Sequence, residues 1–119
     1  MTDWRAVGIG FVVSIVAGLL AFLVPVIGHI GAGLIGGFAA GYVAGGNVWS
    51  GLWHGLLAGA IGGVVVAVLF GVVAILVGGI GAGPIGGLAG LSVLVVGVLI
   101  AFVLALDSAI GGAVGSLLA

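Results

Sequence analysis

Polar side chains are sparse along this chain, and their placement divides it. Thr2, Asp3 and Arg5 open it, His29 follows a long apolar run, Asn47, Ser50 and His54 form a middle group, and Asp107 is the next ionisable residue after His54. The stretches between these points are apolar, interrupted only by an occasional hydroxyl such as Ser14, Tyr42 or Ser92. Roughly 20 apolar residues cross a 30 Å hydrocarbon core at 1.5 Å per residue. The pattern therefore predicts an all-α, polytopic transmembrane bundle of about four helices, with spans at residues 6–27, 30–46, 52–77 and 85–106. Pro25 falls near the end of the first span, where a lost helix hydrogen bond matters least. Asn47 to Ser50 is expected to form a polar hairpin, and Gly78 to Pro84 the turn before the fourth span. Residues 108–119 are too short to cross again. If the last helix instead continued through Gly111 and Gly115, Asp107 would be drawn into the membrane, where a carboxylate is costly.

Inside the apolar runs, glycine recurs at every fourth residue. One ladder is Gly33, Gly37, Gly41 and Gly45; the other is Gly51, Gly55, Gly59 and Gly63, continued by Ala67 and Gly71. On a helix this spacing gathers the small residues into one slowly drifting stripe with almost no side chain in it. Each interior glycine costs about 1 kcal/mol relative to alanine in water. In lipid an unpaired peptide group costs several kcal/mol, which enforces helix, and small-xxx-small stripes then promote close helix packing. The ladders predict glycine-zipper packing, with the second and third spans as neighbours.

A ten-residue segment also recurs. Ile30-Gly-Ala-Gly-Leu-Ile-Gly-Gly-Phe-Ala39 returns as Ile80-Gly-Ala-Gly-Pro-Ile-Gly-Gly-Leu-Ala89, identical at eight of ten positions. Duplication of a helical hairpin would make this a parallel repeat with its pseudo-axis along the membrane normal; convergence on a favoured glycine turn is the alternative. Both copies match G-x-G-x-x-G, at Gly31, Gly33, Gly36 and at Gly81, Gly83, Gly86. A dinucleotide site needs a preceding strand and a ribose-binding acid about twenty residues on. The first copy has no such acid, and only an uncharged span separates the second from Asp107. A tight turn is the better account of both.

Composition agrees with the membrane assignment. The chain of 119 residues is 65% hydrophobic and 3% charged, with a mean hydropathy of +1.73; soluble domains carry about 25% charged residues. One domain is the natural count. A net charge of −1 and the absence of lysine give no footing for nucleic acid. The absence of cysteine excludes disulfides and thiolate metal sites. The apolar run after Arg5 is longer than a signal-peptide core of about 7 to 15 residues and lacks a following cleavage site, so it is expected to be a retained span.

Few residues are candidates for chemistry. Trp4, Trp49 and Trp53 are expected at one membrane interface as anchors, by the usual headgroup depth of tryptophan. With Arg5 favouring a cytoplasmic start, an even span count gathers Asp3, Arg5, Asn47, Ser50, His54 and Asp107 on that same side, leaving His29 and the Ile-Gly-Ala-Gly turns opposite. His54, Asp107 and Arg5 form the candidate polar site, with contact between Asp107 and Arg5 or His54 allowed by this topology. Serines within the spans are expected to bond back to their own helices. Catalytic triads, phosphate loops, metal-ligand clusters and paired intramembrane carboxylates are missing from the sequence. Neither an enzyme, a metal nor a cofactor is expected.

The segments G-G-x-x-A-G-Y-x-A-G-G, at Gly36 to Gly46, and H-G-x-x-A-G, at His54 to Gly59, resemble a family of small, glycine-rich polytopic membrane proteins of haloarchaea whose function is unknown. The resemblance extends loosely over most of the chain. It implies a multi-pass plasma-membrane protein of about four spans and transfers no catalytic residue. The expected partners are the lipid bilayer and either copies of the same chain or other membrane subunits. Two functions follow from different classes: a structural or assembly subunit joined through glycine faces left over after folding, or a passive pore whose glycine turns present backbone carbonyls to a solute.

Overall fold

The computed structural model of the protein describes residues 1–119, apart from the side chains of residues 25 and 26. Helix α1 spans Trp4–Ala21, α2 spans Pro25–Ala44, and α3 spans Val48–Leu117. Each start has a local cause. Asp3 Oδ1 accepts the Arg5 and Ala6 amides at 2.9 and 3.3 Å and caps α1. Asn47 Oδ1 accepts the Ser50 amide at 2.9 Å and caps α3. Pro25 stands in the first turn of α2, where its missing N–H costs nothing. The first expected span therefore ends earlier than residue 27, because Pro25 begins a helix rather than closing one. Between α1 and α2 the chain needs only residues 22–24, and the amides of Leu23, Val24 and Gly28 are bonded to the carbonyls of Leu20, Ala21 and Val24.

As a straight rod, α3 would be about 105 Å long at 1.5 Å per residue. The longest dimension of the molecule is 51 Å. The helix folds back at Gly83, whose φ of 65° and ψ of −146° interrupt it. This backbone region belongs essentially to glycine, and Pro84 disfavours helix in the residue before it. An outbound arm, residues 48–82, and a return arm, residues 84–117, pack antiparallel: Gly78 meets Gly86, Gly71 meets Leu94, Gly63 meets Ala101 and Gly51 meets Ser116.

The two repeated segments diverge here. Ile30 to Ala39 lie wholly inside α2, whereas Ile80 to Ala89 contain the break. Leu34 stands where the second copy has Pro84, so the difference between turn and helix is concentrated at one of the two positions that differ. The turn expected at the first copy is absent, and the corresponding connection lies at residues 22–24 instead.

α1 and α2 brace only part of this hairpin. α1 runs alongside the outbound arm, with Gly10 against Ala58 and Phe11 against Gly62. α2 runs alongside the return arm, with Gly33 beside Leu104 and Gly41 on Gly112. In that register α1 and α2 end near the levels of residues 70 and 96. About 12 residues of each arm, some 18 Å, extend beyond them.

The interior is the inverse of a soluble core. Among the described residues its buried hydrophobic side chains are alanines and Val7, whereas most of the large aliphatic and aromatic side chains lie on the outside. Among the described residues the three helices are all long and apolar enough to cross a membrane.

Candidate functional site

Both glycine ladders are spent inside the chain, and both point at the return arm rather than at each other. From α2, a Cβ on Gly37 or Gly41 would fall on the carbonyl oxygen of Ser108 or Gly112. From the outbound arm, Gly51 and Gly55 meet Gly112, Ser116 and Ser108, Gly59 meets Ser108 and Ala105, and Gly63 meets Ala101. The return arm answers in kind, with Gly111 on the Leu34 carbonyl and Gly115 on that of Phe38. Gly71 packs on Leu94, while Gly45, at φ 60°, ends α2. The ladders of the second and third expected spans thus share a partner, while Ala40 of α2 and Ala58 of the outbound arm lie together with Val7 in the buried cluster.

Much of that partner surface lies in the segment expected to be a short tail. Residues 108–117 continue the helix, and Ser108, Ala109, Gly111, Gly112, Gly115 and Ser116 are buried. Ser108 is fully buried at the junction of α2 and both arms of α3, and its hydroxyl has no hydrogen-bond partner. Ser92 and Ser116 bond back to the carbonyls of Leu88 and Ala113, as serines in apolar helices do. The buried Ser14 hydroxyl makes no such bond.

At the end of the molecule where α1 and α3 begin, the polar residues gather around His54. Its ring is 3% exposed. Nε2 accepts the Asp3 amide at 2.7 Å, and Nδ1 lies 2.7 Å from the Ser50 carbonyl. These partners place the ring proton on Nδ1, where it donates to Ser50, and leave Nε2 to accept. Alongside, Trp53 Nε1 donates to Thr2 Oγ1 at 2.9 Å. The two bonds tie the N-terminus to the first turns of α3. Trp4, Trp49 and Trp53 are all exposed, and Trp4 and Trp53 are brought to this end by the same bonds.

The expected polar trio does not assemble. His54 engages Asp3 and Ser50, Arg5 is exposed, and Asp107 lies half-buried against α2 beside Gly33. Asp3, an interfacial charge in the sequence pattern, holds both the α1 cap and the His54 contact. Its position immediately before an apolar helix was the available signal. Replacing His54 by phenylalanine should cost about 1–3 kcal/mol by orphaning the Asp3 amide. Proteolysis of residues 1–5 and unfolding in detergent would register it; unchanged resistance in both would refute the latch.

At the other end of α1 and α2, the rings of Phe22 and His29 meet edge to face with centroids 5.9 Å apart. Among the described residues no group of three His, Cys, Asp or Glu is placed to hold a metal.

An inside of glycine and alanine, an outside of large aliphatics and three long apolar helices define an all-α protein of membrane type. The chain belongs to the DUF5518 family, a family of unknown function whose model matches residues 4–118. No curated protein and no solved structure matches it.

Proposed function

We propose that this is a non-enzymatic integral membrane protein of the plasma membrane, crossing the bilayer four times through α1, α2 and the two arms of α3, and acting as a structural subunit that self-associates. Glycine-zipper seams hold each copy together. The surface left for association is the unbraced end of the α3 hairpin, and that overhang carries the proposal.

The argument is one of length. From Trp53 to Ile80 the outbound arm covers 27 steps, about 40 Å, against a hydrocarbon core of about 30 Å. Residues 71–94 contain a single hydroxyl, Ser92, and no charge. Ile80 and Ile85 at the tip are 88% and 79% exposed. An apolar segment longer than the bilayer is accommodated by tilt, local thickening or oligomerisation. Here the overhang lacks α1 and α2 on its flanks, and a second copy in an isologous pairing would supply the missing cover. The glycine ladders, being occupied within the chain, are not the joining faces.

The lack of cysteine makes the test direct. In native-like lipid, Ile80→Cys should form disulfide-linked dimers on mild oxidation. Leu19→Cys, exposed on α1, should not. Wild-type protein that remains strictly monomeric in lipid would end the proposal.

A further inference from the structure

A cavity of about 330 Å³ opens on the side of the bundle. Its walls come from every helix: Ser14 and Gly18 of α1, Ala32 of α2, Phe70 of the outbound arm, and Val93 and Gly97 of the return arm. The bounding surface is mainly apolar, with His29 as the ionisable side chain on its wall, and Ser14 turns its buried hydroxyl away from exposure. We infer that this cavity is a binding site for one hydrocarbon chain of a membrane lipid.

Depth, polarity and size select that occupant. Ser14 lies ten residues beyond Trp4, and Gly63, on the cavity wall, lies ten residues beyond Trp53. Ten helical residues span about 15 Å, half the thickness of a hydrocarbon core. With the tryptophan end at one interface, the cavity runs from mid-bilayer at Ser14 and Gly63 to about 26 Å at Phe70, seventeen residues beyond Trp53, and so stays within the hydrocarbon core, where the surrounding medium is lipid tails. An apolar cavity of this kind does not hold water, and left void it would forfeit dispersion contacts along its whole lining. A flexible acyl chain is thin enough to follow this groove between the helices. Glycine and alanine on the wall keep the floor low, while Phe70 and Val93 supply contact area. The site depends on placement in a bilayer but not on self-association.

Glycine accessibility provides matched variants on one helix. A Cβ at Gly18, on the cavity wall, and one at Gly8, elsewhere on α1, would each meet nothing within 4 Å. The protein is reconstituted in phosphatidylcholine vesicles containing a lipid with a diazirine midway along one acyl chain, and cross-linked peptides are mapped after illumination. In the wild type, label should concentrate on cavity positions such as Gly18 and Gly97 over outward positions such as Leu19 and Phe102 by about tenfold. Gly18→Leu should remove that excess and Gly8→Leu should keep it. Equal labelling of cavity and outward positions in the wild type would overturn the site, as would an excess that survives Gly18→Leu in folded protein. The wild-type map decides alone if Gly18→Leu does not fold. Failure of the Ile80 cross-link would leave this result standing, so the two ideas are separable.

Discussion

Gly41→Leu should strongly destabilise the bundle, with a loss of about 3 kcal/mol or more. Overpacking against mobile side chains costs about 1–3 kcal/mol. Here the new Cβ would coincide with the Gly112 carbonyl oxygen of the return arm, and backbone within a hydrogen-bonded helix cannot rotate aside. α2 would have to leave the seam, taking Gly37 off Ser108 as well. Since domains are stable by only about 5–15 kcal/mol, such a loss is a large part of the total. The control lies on the same helix: a Cβ on Gly31 meets nothing within 4 Å. Gly31→Leu should shift stability by no more than about 0.5 kcal/mol, or improve it through helix propensity. Denaturation by an ionic detergent, followed by tryptophan fluorescence, measures both. Equal midpoints for the two variants would mean that the Gly41 seam does not hold α2.

The second large effect concerns the repeated segment. Leu34→Pro, which copies the second segment's residue into the first, should cost about 3 kcal/mol by removing an interior helix bond and crowding the preceding turn. Leu34 is itself partly exposed, so backbone rather than lost packing sets that figure. Gly83→Ala should cost about 1–3 kcal/mol, because a side chain is strained at positive φ with ψ near −146°. A Cβ there has open space around it, which isolates the backbone term. Helix content by circular dichroism should fall for Leu34→Pro, whereas Gly83→Ala should mainly lower the unfolding midpoint. If Leu34→Pro left both quantities unchanged, the account of why one copy turns and the other does not would be wrong.

The sequence made the ladders visible but concealed what they face. Spacing at i, i+4 identifies which side of a helix is smooth without saying which neighbour lies there. Asp107 reads as the end of the last span, although Ser108, Gly112 and Ser116 continue a four-residue spacing beyond it. A carboxylate within an apolar helix suggests an interface, and here packing carries the helix past it. Pro25 is ambiguous for a related reason: an isolated proline can close a span or open one, and only the three-residue connection before it decides. The His54 contact joins residues 51 positions apart. Neither period nor composition encodes such a pairing, so the polar cluster was legible as a group but not in its bonds.

Because the seams are backbone against backbone, the chain should tolerate change in an unusual distribution. Exchange among valine, leucine, isoleucine and phenylalanine on the outside alters little that another helix touches. Adding one methyl group at Gly37 or Gly41 collides with peptide atoms. Over long divergence the aliphatic letters are then free to drift while those glycines stay fixed. The lasting record of shared ancestry in such a protein is where its side chains are missing.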